Sequence, residues 1–172
     1  MLRSRRFGVG SAAPARGFTL VEIMVVVTII SFLAMMAVPA IRLVELKARA
    51  TATANDLRVF ETAFETYASE KGGFPPSSTD PGVLPAGMTD RIKAGNWASA
   101  SPVGGHFSFE ANQDFGGVHC TAAITISSTS DSPLTADGAQ LQALDKIIDD
   151  GNLNTGNLIF GGSGSLVWIV ER

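Results

Sequence analysis

The sequence predicts an α+β fold, with one long N-terminal helix of membrane-spanning character in its first half, laid against a small antiparallel β-sheet head. Three observations predict it. Between Phe18 and Lys71 there is no Gly and a single Pro, Pro39. Past Ile41 the apolar residues recur in steps of three and four, the period of a helix with one buried face. From Phe107 onward the period changes to two, as in half-buried strands.

Residues 1–17 hold Arg3, Arg5, Arg6 and Arg16 and no acidic residue, a pattern that retains a segment on the cytoplasmic side. From Ile23 to Ile41 the chain is apolar apart from Thr28, Ser31 and Pro39. A helix of that length spans roughly 28 Å, close to the ~30 Å hydrocarbon core of a bilayer. Glu22 stands at the mouth of this stretch. An acid inside a bilayer costs about 2.5–3.5 kcal/mol on insertion scales, so it calls for a partner. A cut after Gly17 would supply one, the new α-amino group of Phe18. The competing reading is an ordinary secretory signal cut near Ala37 or Ala40. That reading accounts for the basic start and the apolar core, but not for Glu22 or for the helical pattern that continues afterwards. Glu22 also has a plainer reading, snorkelling to the interface from the start of the helix.

The basic leader followed by Gly17-Phe18-Thr19-Leu20-Val21-Glu22 resembles the prepilin-type signal of type IV pilins and of the pseudopilins of type II secretion. The resemblance covers the first third of the chain; beyond that it is one of layout. It implies a pilin-like fold and a structural subunit of a filament. It implies cleavage between Gly17 and Phe18 by a prepilin peptidase, N-methylation of Phe18 by the same enzyme, and pairing of Glu22 with the Phe18 amine of an adjacent subunit. The chain would then be a single-pass protein of the bacterial inner membrane with its head in the periplasm. An assembly platform in that membrane would extrude it, with copies of itself and other pilin-like subunits, into a periplasmic or surface filament. A type II secretion pseudopilin is the expected system, and a major or minor pilin of a type IV pilus is the alternative. Outside this class the rival is an exported binding protein held by an uncleaved helix.

After the leader, residues 18–41 form the membrane and filament-core half of the helix, and residues 42–71 its amphipathic half. In the latter, Leu43, Leu46, Ala50, Ala54, Leu57, Phe60 with Val59 beside it, Phe64 and Tyr67 trace one stripe. Gly72-Gly73 and then Phe74-Pro75-Pro76 stop the helix. Pro39 removes one backbone donor and crowds the carbonyl of Met35, which predicts a kink. A tolerated membrane-helix proline is the compatible plainer reading.

Residues 72–172 form the head. Residues 72–106, rich in Gly, Pro, Ser and Ala, read as a long variable connection with one strand or short turn near Asp90 to Trp97. Phe107–Ala111 reads as a strand, and Asn112–Gly117 as a turn. Along the next strand, Val118, Cys120, Ala122, Ile124 and Ile126 point one way, and His119, Thr121, Ala123 and Thr125 the other. Within residues 135–150, Asp137 and Gln140 suggest a capping box for a short helix with an apolar face of Leu141, Leu144 and Ile148. Leu166–Val170 reads as the closing strand, giving three or four antiparallel strands across the helix.

Composition narrows the chemistry. Of 13 basic residues four lie in the leader, leaving 9 against 16 acidic ones, or −7 for the remainder. Such a surface opposes the phosphate contacts of nucleic-acid binding. Cys120 is the single cysteine, which excludes an intrachain disulfide and tilts the resemblance toward the pseudopilin branch. Cys120 reads as a small buried residue, and His106 as an exposed one at a strand edge. His119 and Cys120 are strand neighbours and point to opposite faces, so they do not make a dyad. No motif for a nucleophile, a zinc site or a phosphate loop is present, and the enzyme reading has no residues to stand on. Asp150, Asn152 and Asn154 carry the i, i+2, i+4 spacing of calcium-loop ligands and are candidates for a structural calcium. The glycine such a loop needs is displaced to Gly156 and the twelfth position is Gly161, which excludes an EF-hand. The competing reading is an Asp-Gly helix stop followed by Asn turns bonded to local backbone.

Overall fold

The computed structural model of the chain describes residues 17–78, 80–161 and 164–172, without the side chain of Pro39. The leader arginines therefore lie outside the described residues, as does the ring on which the Pro39 kink depends. Helix α1 (Leu20–Lys71) is the longest element and contributes to both of the chain's compact units, residues 1–41 and 42–172. It stops where the sequence places the stop. Gly72 takes a positive φ of 77°, and its N–H closes the last turn on the Ala68 carbonyl at 2.8 Å.

The second unit is built on one face of α1. Ala50, Ala54, Leu57, Phe60 and Phe64 are buried and share a single cluster with Phe107, Phe109, Ala122, Ile124, Ile126, Leu166 and Trp168. Aromatic rings form its centre. Phe64 stacks on Phe109 with centroids 4.2 Å apart, and Phe60 meets Trp97 and Phe107 edge-on at 4.9 and 5.0 Å. The stripe begins later than its periodicity suggests. Leu43 is 56 % exposed, because the sheet's apolar face reaches α1 only from Ala50 onward; Val59, between the buried Leu57 and Phe60 but outside their cluster, is 64 % exposed. Thr53, within the stripe, is fully buried and lies 3.3 Å from the Ser101 hydroxyl while donating to the Arg49 carbonyl.

The connection after α1 contains a short helix, α2 (Ala94–Ala98), rather than a strand near Asp90–Trp97. Its one buried residue, Trp97, donates through Nε1 to the Val83 carbonyl at 3.0 Å. A segment anchored by isolated residues, here Met88, Ile92, Trp97 and Val103, leaves no period to read.

Four strands follow: β1 (His106–Phe115), β2 (Val118–Ser127), β3 (Leu158–Gly161) and β4 (Ser165–Glu171), all antiparallel in the order β1-β2-β4-β3. Helix α3 (Gly138–Ile148) lies between β2 and β3 in sequence. Its N-cap, Asp137, accepts from the Ala139 N–H at 2.9 Å. Gln140 is buried and its Nε2 has no partner among the described residues. Arg58 of α1 donates to the Ile147 carbonyl at 2.9 Å, occupying an acceptor at the C-terminal end of α3.

Two strand expectations change. Asn112–Phe115 is strand rather than turn; only Gly116-Gly117, both at positive φ, makes the hairpin bend. The side chains of Asn112, Gln113 and Asp114 are exposed, so backbone pairing holds them in a strand that hydrophobic periodicity does not mark. Cys120 is fully buried, but with Ala123, Val167 and Ile169 rather than with Ala122 and Ile124. Asn112 at φ 51° and a register shift between Ala122 and Ala123 interrupt the strict alternation there.

Part of each outer edge of the sheet is occupied. Along β1, Ser78 N–H and Gly82 N–H donate to the carbonyls of Phe109 and Phe107, each at 2.7 Å. The Ser78 and Ser77 hydroxyls accept from Phe109 and Ala111 N–H. Along β3, Phe160 N–H donates to the Leu153 carbonyl at 2.9 Å and Leu158 N–H to the Asp149 carboxylate at 3.2 Å.

Replacing Phe64 by Ala is expected to lower head stability by about 3–5 kcal/mol. Val59→Ala is expected to change it by no more than about 0.5 kcal/mol. Urea unfolding followed by Trp97 and Trp168 fluorescence measures both.

Candidate functional site

The start of α1 is built by Thr19. Its hydroxyl accepts from the Glu22 N–H at 3.2 Å, and its carbonyl accepts from the Ile23 N–H at 3.3 Å. Thr19 is thus the N-cap, and Thr-Leu-Val-Glu is the T-x-x-E pattern of a capping box, a signal legible in the sequence that was passed over. Glu22 lies in the first turn, where the helix dipole favours negative charge. Its side chain is exposed, and among the described residues its carboxylate has no cationic partner. Gly17 precedes the helix in exposed chain outside regular secondary structure, and Phe18 is 77 % exposed. Backbone on both sides of the Gly17–Phe18 bond is therefore open to a second protein.

From Leu20 to Ile41 the apolar side chains are exposed on every side of the helix. The stretch is long and apolar enough to cross a membrane. Its two hydroxyls are compatible with lipid because each is bonded one turn back, Thr28 to the Met24 carbonyl and Ser31 to the Val27 carbonyl, both at 2.8 Å.

In the head, the histidines and the cysteine stay apart. His119 is exposed and pairs across the hairpin with Asp114 at 2.8 Å, while Cys120 beside it is buried. Burial pushes the Cys120 thiol up, away from the reactive thiolate. His106 is less exposed than its place beside two glycines suggests. The loop after β2 covers it, with Nδ1 at 3.0 Å from the Thr129 hydroxyl and Nε2 at 3.8 Å from Asp131.

The loop after α3 rearranges the calcium candidates. Asn152 N–H donates to Asp150 Oδ1 at 2.7 Å, Thr155 Oγ1 to Asp150 Oδ2 at 2.6 Å, and Asn154 N–H to Asn152 Oδ1 at 3.3 Å. Asn152 and Asn154 are thus engaged in the local turns of the competing reading. Asp150 instead comes together with Asp149 and Asp145, one carboxylate oxygen of each lying within 4.8 Å of the others. Asp145 was missed, although its position between Leu141 and Ile148 marks it as an acid on the apolar face of α3. It is fully buried. Burial, and then the negative charges of Asp150 and Asp149, raise its pKa from 3.8 to about 6, with the Gly151 amide offsetting only part.

Residues 13–38 match the family model described as the prokaryotic N-terminal methylation motif, a span that contains Gly17, Phe18 and Glu22. The fold is similar to that of the major type IV pilin PilA1 from Clostridium difficile, at 17 % identity and a TM-score of 0.50, over 74 % of this chain and 97 % of that one. Comparison with curated proteins gave no match.

The raised pKa of Asp145 means that the folded head holds this proton more tightly than the unfolded chain does. In metal-free buffer its contribution to stability is expected to fall as pH rises from about 4 to about 6, between the ordinary and the raised value. Asp145→Asn should flatten that part of the profile of urea midpoint against pH.

Proposed function

We propose that this type IV pilin-like chain is a non-enzymatic structural subunit of a filament, anchored in a membrane by residues 18–41 before it assembles. One observation carries the reading. A helix apolar on every side begins with an acid, directly after an exposed Gly-Phe bond within a methylation motif.

Hydrolysis between Gly17 and Phe18 by a prepilin peptidase would remove the basic leader and leave a new ammonium group on Phe18. N-methylation of that amine keeps its positive charge. Exchange of lipid contacts for helix contacts gives little hydrophobic gain, since both surroundings are apolar. Charge therefore supplies what apolar packing lacks, a defined register. The Phe18 ammonium of one subunit pairs with Glu22 of its neighbour, relieving an acid that would otherwise be stranded at the helix start. Thr19 supports this role by capping the backbone itself, which leaves the Glu22 carboxylate free for a neighbour. A bend at Pro39 would adapt the helix to packing among subunits.

The bacterial inner membrane, with the head in the periplasm, is the location that suits the basic leader. A type II secretion pseudopilin is the system favoured by the single cysteine. A pilus subunit is the second reading, favoured by the likeness to a major type IV pilin.

Intact and N-terminal peptide masses of the protein from its native membrane should show a chain that starts at Phe18 and carries one added methyl. A chain starting at Met1 or near Ala40 would instead indicate an anchored or secreted binding domain. Glu22→Ala should leave membrane insertion unchanged and reduce sheared filament about tenfold or more, the equivalent of about 1.4 kcal/mol per subunit contact. Filaments at normal yield would sink the pairing role.

A further inference from the structure

The end of α1 opens onto a cleft that neither head packing nor the pairing of Phe18 with Glu22 uses. The cleft holds about 630 Å³ and is lined by the last turn of α1, by Gly72 and Gly73, and by Asn112, Thr121 and Glu171 of three adjacent strands. Two ladders of the sheet break here. Asn112, at φ 51°, and Thr121 stand between the pairs Ala111–Ala122 and Gln113–Cys120 but are not themselves paired. One strand over, Ala122 pairs with Glu171 and Ala123 with Ile169, so β4 carries one residue more than β2. Irregularities of this kind re-aim side chains or end pairing, and two of them meet at one cavity.

The chemistry of the lining is one-sided. The side chains of Ser69, Asn112, Thr121 and Glu171 have no hydrogen-bond or ion-pair partner among the described residues. A Cβ at Gly72 or Gly73 would touch nothing within 4 Å, so the backbone is bare where the helix ends. A helix C-terminus carries partial negative charge, and Glu171 adds a full one. No Lys, Arg or His lines the cleft. Arg172, next to Glu171, is committed elsewhere, donating to the Gly156 carbonyl at 2.7 Å and to Asn157 Oδ1 at 3.2 Å. Phe74 and Ala111 add apolar surface suited to an aliphatic stem. The matching group is an ammonium on a short hydrocarbon chain, which is a lysine side chain.

We infer that this cleft receives Lys47 of a second copy of the chain, a reading that rests on assembly into a filament. Lys47 lies in the exposed part of α1 just before the sheet covers it, and its ammonium group has no partner among the described residues. Nearby Arg49 is already paired with Glu45. Arg42 directly follows the apolar stretch, where a long basic side chain is drawn to the membrane interface. Within one chain Lys47 lies about 37 Å from Gly72 along the helix, too far to enter its own cleft. Copies whose helices run side by side with stepwise offsets bring the two together once the offset reaches that distance. Pairing of Phe18 with Glu22 offsets adjacent copies by only a few residues. The cleft would therefore tie together subunits further apart along the filament.

The test uses sheared filaments of the full-length protein, treated with a carbodiimide, which joins a lysine amine to a carboxylate in direct contact. Peptide mass spectrometry should find Lys47 joined to Glu171, a link that the distance within one chain makes intermolecular. That result does not depend on how any variant folds. Lys47→Glu should lower the yield of sheared filament about threefold or more, the effect of losing one partly exposed ion pair. Glu171→Lys added to it should restore the yield, with the urea midpoint of the head unchanged in both variants. Filaments of subunits that start at Phe18 but lack the link would overturn this inference alone; absence of any filament would overturn the filament reading with it. A Glu171 link to Lys71 in place of Lys47, or a double variant no better than Lys47→Glu, would also overturn it.

Discussion

The face of α1 that runs through Ala50, Ala54, Leu57, Phe60 and Phe64 gives the sheet a surface to fold against. Four strands that carry Phe107, Phe109, Ile124, Ile126 and Trp168 on one side have no stable form with that side in water. The row of α1 residues is short in its first half, with two alanines, and bulky in its second, with two phenylalanines. At the bulky end Phe60 and Phe64 meet the rings of Phe107, Phe109 and Trp97. Trp97 and the anchors around it close the cluster from the connecting segment. That segment would otherwise have too few apolar residues to order itself.

A different constraint governs residues 18–41. There the helix has no polar face, and its two hydroxyls are turned back onto its own carbonyls. Glu22 is the one group in that region with unspent electrostatic capacity. A capped helix start is stable without help from the Glu22 side chain, so the carboxylate is not required by the monomer's own backbone. The division of labour between Thr19 and Glu22 is what makes an intermolecular role physically reasonable.

Legibility in the sequence followed the strength of periodic signals. The α1 stripe, its Gly72 stop, the α3 face and the closing strand were all legible because apolar spacing or glycine chemistry marks them directly. The outer part of the β1–β2 hairpin was not, because Asn112, Gln113 and Asp114 bury nothing and are held by backbone pairing alone. Helix α2 was hidden for a related reason, since a single Trp sets no period. The burial of Cys120 was legible, but its cluster was not, because the interrupted alternation arises from one positive φ and one register shift. At the helix start, Gly17, Phe18 and Glu22 stood out as a motif while Thr19 was overlooked. The Asp145 cluster shows a further limit: spacing singled out Asp150 and two amides, whereas helix geometry brings in an acid five residues earlier.

The occupied edges of the sheet bear on how such a head behaves when many copies are crowded together. Subunits held side by side by their helices experience a local head concentration far above that of free protein. A strand with open N–H and C=O groups at that concentration would recruit its neighbours into intermolecular β-pairing, which is slow to reverse. Ser77, Ser78 and Gly82 on one flank, and Asp149 and Leu153 on the other, narrow that route. Cohesion is left to side-chain contacts, which exchange readily. A polymer of such heads can be built and dismantled without passing through an amyloid-like trap.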